Sequence, residues 1–314
     1  MTLRPNSVSG IMLTVVLALL PGTVLHAWQF GPVVWLQAGW CILLALLMET
    51  LCLHLRREDI RHGLGDMSWL VCGCLMARAL PLLSPLWLIA LATLVALGLV
   101  KHGSGGLGKN RLNPVMAGLG VVAVCFYQLQ YPAPGFQAPW TLQLDIPTIL
   151  QQQLQLVPRL QLDALSSATP LAHERLDAPA PLLSWSGYLA GGLLLALLRV
   201  SRLEIPLAMM CSSVLLCMAA GHNLQESLHS LTLGGYMFAA FFIATDPVTS
   251  PDCKVGRILF GLTIGVITEL VREFGLYADG LCFAVLAANM LVPQLNQLAR
   301  KFNPPGQGWQ PTRE

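Results

Sequence analysis

Charge is what this chain most lacks. Asp, Glu, Lys and Arg together make up 11% of its 314 residues, against about 25% in an ordinary soluble protein. The formal net charge of +2 is too small to suggest a nucleic-acid partner, and the basic residues are dispersed in short clusters beside apolar segments. A disulfide framework is missing too: the nine cysteines fall almost all inside apolar runs, where a thiol behaves as a small hydrophobe. No nucleophile, base and orienting acid can be assembled from the sequence, so a hydrolase has no support. His173, His222 and His229 form no ligand pattern, and the C-x-C pair Cys72 and Cys74 has no further ligands nearby.

What the chain has in abundance is apolar sequence, with hydrophobic residues making up 55%. A helix needs roughly 20 apolar residues to cross the hydrocarbon layer, and about ten segments qualify: 10–29, 33–55, 67–83, 85–101, 112–130, 183–200, 204–221, 229–245, 255–274 and 279–298. The first has a basic start but no natural small-x-small cleavage site after it, and reads as a retained helix.

Cytoplasmic flanks of membrane helices carry an excess of positive charge. With the N-terminus cytoplasmic and ten alternating spans, 14 of the 18 Lys and Arg residues fall inside: Arg4; Arg56, Arg57 and Arg61; Lys101, Lys109 and Arg111; Arg199 and Arg202; Lys254 and Arg257; Arg300, Lys301 and Arg313. Arg159, Arg175 and Arg272 fall outside, and Arg78 lies within the third span. The expected fold is therefore an all-α integral membrane protein with both termini cytoplasmic and one long periplasmic loop. It divides into a five-helix unit (1–130), the loop (131–182), a second five-helix unit (183–300) and a cytoplasmic tail (301–314).

An odd-numbered repeat inserts its two copies in opposite orientations, so five plus five implies inverted repeats. The third and eighth spans support this reading. "SWLVCGCLMARALPLLSP" and "TLGGYMFAAFFIATDPVTSP" are apolar runs that each end in Pro-x-x-x-Pro, which halts a helix. Interrupted segments at matching places in two halves point to a central site in a transporter-like fold; the plainer alternative is two short helices with Pro-rich exits.

"KHGSGGLGKNRLNPVMAG" contains a G-x-G-x-x-G match and a near match to a phosphate-binding P-loop. A dinucleotide fingerprint needs a preceding strand, and the P-loop needs Ser or Thr where Asn110 stands. What remains is a Gly-rich turn, including Gly105 and Gly106, followed by Asn113-Pro114. That pair makes an efficient helix start; alternatively Asn110 and Asn113, near a positive helix end, hold a polar ligand. Asp246 follows an apolar run, where an ionisable residue is a candidate for function or else caps a turn. Thr245, Thr249 and Ser250 add hydroxyls beside it, and Glu49, Glu269 and Glu273 are further carboxylate candidates.

Four motifs occur together in order: "GGLGKNRLNP", "DALSSATPL", "FFIATDPVTSPDCKVGRILFG" and "DGLCFAVLAANMLVP". In these the chain resembles the NqrB/RnfD family, and its length and ten-span layout are similar to the D subunits of Rnf electron-transport complexes. The resemblance implies that Thr169, within the recognition motif Asp163, Ser166, Ala168 and Thr169, carries FMN through a phosphoester bond installed by a flavin transferase. It also implies a non-covalent riboflavin associated with Asn110 and Asn113, with Gly105, Gly106, Thr245 and Asp246 as further site candidates. Four departures from the family pattern stand out: Arg111 in place of an aromatic, Val115 in place of Ala, a third span carrying Trp69, Cys72, Cys74 and Arg78, and a shortened loop before Thr169.

The implied function is electron relay in the bacterial inner membrane, within a complex that exchanges electrons between NAD(H) and ferredoxin and moves Na⁺ or H⁺. Its partners would be the other membrane subunits and a periplasmic flavoprotein subunit. A fold of two inverted five-helix units equally describes channels of the urea or ammonium type, and hydropathy does not separate the two classes.

Overall fold

The computed structural model describes residues 7–126, 145–155, 184–274 and 280–302, and over these it is helical throughout, without strands. The elements are α1 (Val8–Phe30), α2 (Val33–Leu55), α3 (Ile60–Leu64), α4 (Ser68–Ala79) and α5 (Leu86–Thr93), which runs on as a π-helix over Leu94–His102. Next come α6 (Pro114–Cys125), α7 (Ile146–Gln153), α8 (Ser184–Leu197), α9 (Glu204–Ala219), α10 (Leu224–Ser230) and α11 (Tyr236–Phe238), which runs on as a π-helix over Ala239–Ile243. Finally α12 (Lys254–Phe274) and α13 (Leu281–Phe302) close the chain. The order of elements recurs: two helices, a short one, a short interrupted one, then two more.

Among the described residues, three segments are long and apolar enough to cross a membrane: Val8–Phe30, Val33–Leu55 and Leu281–Lys301. Their outer faces show the reverse of a soluble protein. Leu17, Val24, Leu47, Leu51 and Leu215 are exposed, while Glu49, Lys101 and Glu269 are buried. Apolar side chains face outward because hydrocarbon is their solvent, and charge retreats to the interior.

Every expected span contains a helix, but three are much shorter than expected; the fifth, expected over 112–130, is helical only over Pro114–Cys125 among the described residues. The third, expected over 67–83, is helical only from Ser68 to Ala79; twelve residues rise about 18 Å, well under the roughly 30 Å of hydrocarbon. It stops because Leu80 precedes Pro81 and is forced into extended geometry, with ψ at 146°. The carbonyls freed by this stop are collected by one side chain. The buried Gln37 of α2 donates from Nε2 to the carbonyls of Ala77, Leu80 and Pro81 at 3.3, 3.2 and 3.0 Å. The eighth, expected over 229–245, becomes α11 with its π extension, preceded by the turn at Gly234 and Gly235.

Within the segment 131–182, expected as a loop between the two five-helix units, residues Ile146–Gln153 form the short helix α7. Ile149 is fully buried against Phe30, Val33, Val34, Leu82 and Leu83. Apolar residues at 146, 149 and 150 give the short helix one greasy face, which covers the ends of α1 and α2.

The first helices of the two halves, α1 and α8, pack tightly together. Gly187 lies on the backbone of Pro21 and Gly22, and a methyl group at Gly191 would run into the Ala18 carbonyl. Close approach of small residues is the usual basis of helix association where water gives no drive. Gly191→Ala is expected to destabilise the protein by about 1–3 kcal/mol through overpacking. Gly39→Ala, at an exposed helical position with open space around it, should be neutral or stabilising, and thermal unfolding in detergent compares the two.

Candidate functional site

A cavity of about 170 Å³, open on one side, lies where the two halves meet. Asn110, Asn113, Thr245 and Asp246, four of the candidates named from sequence, all line it. The first two stand at the start of α6 and the others follow the π turn of α11. Phe241, Phe242, Val71 and Leu75 supply apolar wall.

Each polar residue has a local job as well as a place on the cavity. Asn113 is the N-cap of α6: its Oδ1 accepts from Met116 N at 3.1 Å, with Pro114 in the first turn. Asn110 Nδ2 donates to the Leu112 carbonyl at 2.9 Å. Thr245 Oγ1 donates to the Phe241 carbonyl at 2.6 Å. Asp246 accepts from Val248 N and Thr249 Oγ1, both at 3.1 Å. Its enclosure pushes the carboxyl up from the usual range, opposed by the hydrogen bonds from Val248 and Thr249. The capping alternatives and the cavity placement hold at the same residues.

Asn289 of α13, not singled out from sequence, ties the two motifs together. Its Oδ1 accepts from Asn113 N at 2.9 Å and its Nδ2 donates to the Thr249 carbonyl at 3.1 Å. Ser201, between α8 and α9, also lines the cavity, and its buried Oγ has no hydrogen-bond partner. An orphaned hydroxyl on a cavity wall is suited to a polar ligand atom.

Gly105 and Gly106 do not line this cavity. They take φ of 111° and 101°, a region that only glycine enters without strain, and so shape the turn that leads Asn110 into place. Arg56 braces that turn, donating to the carbonyls of His102 and Gly105 at 2.9 and 3.3 Å.

Lys101, counted from sequence as a flanking surface charge, is instead buried. Its Nζ donates to Glu49 Oε1 at 2.7 Å and to Ser68 Oγ at 2.6 Å, and it lines the cavity. The π-helical turn brings both Lys101 and His102 inside. Glu273 is exposed, whereas Glu269 is buried beside Arg272. Among the sequence departures, Cys72 and Val115 line the cavity, Arg78 is half-buried in α4, and Arg111 is exposed.

The family model for NQR2, RnfD and RnfE proteins matches residues 2–303. The chain belongs to this family. Among curated members, the D subunit of the ion-translocating oxidoreductase complex of Yersinia enterocolitica is 35% identical over 94% of this chain and 93% of its own length. That of Shewanella pealeana is 34% identical over 90% of each, and that of Escherichia coli 33% over 95% of each. Family membership and the apolar helices make this a membrane protein. Asp163, Ser166, Ala168 and Thr169, the attachment motif expected from the family resemblance, lie outside the described residues.

Replacing Asn289 by Ala leaves the Asn113 N–H and the Thr249 carbonyl without their partners. The expected loss is about 1–3 kcal/mol for each group left unpaired. Asn289→Asp, which keeps the acceptor toward Asn113, should fall between wild type and Ala in detergent thermal unfolding.

Proposed function

We propose that this chain is the flavin-bearing membrane subunit of an ion-translocating oxidoreductase complex. The observation that carries the reading is the convergence of Asn110 and Asn113 from one half with Thr245 and Asp246 from the other on one cavity. A planar amphipathic ring needs apolar walls and a few polar contacts at its rim, and Phe241, Phe242, Asn110 and the unpartnered Ser201 hydroxyl offer both. A non-covalent riboflavin occupies this cavity, and a second flavin, FMN, is esterified through its phosphate to Thr169 by a flavin transferase. When bound, these groups supply one-electron chemistry, and the protein sets their position and electrostatics.

The proposed architecture is ten transmembrane helices in two inverted five-helix repeats, α1 to α6 and α8 to α13 with α3 and α10 as surface turns. It is supported by the repeated order of elements, by the packing of α1 on α8 and by the two interrupted helices at equivalent places. The charge bias sets both termini in the cytoplasm and the Thr169 loop in the periplasm of a bacterial inner membrane. There the loop meets a periplasmic flavoprotein subunit. Relatives bear the name of an ion-translocating oxidoreductase complex; we assign this chain to such a complex, passing electrons between NAD(H) and ferredoxin with Na⁺ or H⁺ movement.

Covalent flavin is tested by in-gel fluorescence of the denatured subunit coexpressed with a flavin transferase. A fluorescent band is expected for wild type and none for Thr169→Ala; a dark wild-type band would favour a plain channel or scaffold. The cavity flavin is tested separately, by solvent extraction. Asn110→Leu is expected to lose at least about tenfold of its extractable riboflavin, since a bidentate-capable amide is replaced by an apolar group, while the covalent band persists.

A further inference from the structure

A second cavity, of about 540 Å³, opens beside α3 and is rimmed by charge: Glu58, Arg61, His62 and Asp66. On the proposed topology it faces the cytoplasm. Two residues line both this cavity and the central one, Lys101 and Leu107, and of these only Lys101 is polar.

Lys101 is also the middle of a hydrogen-bonded chain that runs from one cavity to the other. Its Nζ donates to Ser68 Oγ at 2.6 Å, and Ser68 Oγ donates to Asp66 Oδ1 at 2.7 Å. Ser68 lines the central cavity and Asp66 the charged one. Glu49 Oε1 holds the ammonium from the other side at 2.7 Å, and His102 Nε2 stands 3.1 Å from the same oxygen. Glu49 Oε2 and His102 Nδ1 are buried without hydrogen-bond partners, so the network has proton positions to spare. A hydroxyl bonded to both an ammonium and a carboxylate can receive one proton as it releases another; at rest it donates toward Asp66, and delivery toward Lys101 requires the hydroxyl to turn, as a freely rotating O–H can.

The geometry points to a proton relay, Asp66 to Ser68 to Lys101, that delivers a cytoplasmic proton to the central cavity when an electron arrives there. This rests on the flavin reading of that cavity. For each electron supplied by a one-electron carrier of the complex, the Lys101 ammonium gives up one proton to the bound ring and becomes an amine. Asp66, a carboxylate at rest, takes a proton from cytoplasmic water; Ser68 then passes its hydroxyl proton to the Lys101 amine and takes the one Asp66 holds, which leaves Asp66 a carboxylate again. The net change is one electron and one proton into the cavity, with the relay restored. Glu49 is a positioning residue that keeps the ammonium between the two cavities. Asp246 and the Cys72 thiol are the other titratable groups that line the central cavity.

The test uses the assembled complex, with extractable riboflavin and proton uptake measured on the same samples, the latter by a pH-indicator dye during reduction. Wild type is expected to bind riboflavin and to take up protons together with electrons. Ser68→Ala, which leaves the Lys101–Glu49 pair intact, should keep its flavin but slow proton uptake at least about tenfold, and Ser68→Thr, which retains the hydroxyl, should restore it. Uptake by Ser68→Ala at the wild-type rate and pH profile would overturn the relay while leaving the flavin reading in place. Loss of riboflavin from Ser68→Ala alone would make Ser68 a binding residue and equally overturn it. Wild type with no riboflavin would overturn both.

Discussion

A helix that stops in an apolar interior leaves up to four backbone groups with no water to satisfy them, and this chain stops two helices among buried residues. The protein around each break is arranged to close that deficit. At the end of α4 it is closed by three hydrogen bonds from Gln37. Past the π turn of α11, Thr245 Oγ1 and the Asp246 amide donate to the carbonyls of Phe241 and Ile243, and at the start of α6 the Asn113 side chain accepts from Met116 N, its own amide held by Asn289. The cavity is what remains between these closures. Part of its polar lining, Asn113 and Thr245, consists of side chains that also begin or end helices.

Charge follows the same logic at both ends of the molecule. Lys101 is held by Glu49 and by Ser68, the first residue of α4. Arg272 lies 3.4 Å from Glu269 and over the ring of Tyr236, the first residue of α11, with its centroid 5.2 Å away. Each cation belongs to the fourth principal helix of its half and packs against the start of the interrupted third. Burying such pairs gives little net stability, because desolvation offsets most of the attraction, but removing one partner is severe. Their value is positional: each fixes where an interrupted helix begins.

Much of this was legible in the sequence, and the losses have definite causes. Helix positions followed from apolar runs, and the helix stop before Pro81 from the restriction proline places on its predecessor. Asn110, Asn113, Thr245 and Asp246 were legible because polar residues beside apolar runs and prolines are conspicuous. Asn289 was not, since it sits within a helix and its partner Asn113 is 176 residues away. Ser201 stands between two apolar helices with no motif around it to set it apart. Lys101 misled, because the rule that counts basic residues at helix ends cannot tell a snorkelling lysine from a buried one, and the outcome depends on a turn of helix with no sequence signature.

That turn is π-helical, and so is its counterpart. Such turns make up well under 1% of residues in proteins and concentrate at functional sites, yet Leu94–His102 and Ala239–Ile243 both border the central cavity. A wider turn places successive side chains closer together around the axis than an α turn does. Phe241 and Phe242, adjacent in sequence, therefore both reach the cavity, and Lys101 and His102 are both drawn into the interior. An α-helical path through either segment would rotate the residues beyond it relative to those before. One aromatic would leave the wall on one side, and the ammonium would leave its place between the two cavities on the other. The shape of the site thus depends on two local departures from α geometry, one in each half, as much as on the side chains that line it.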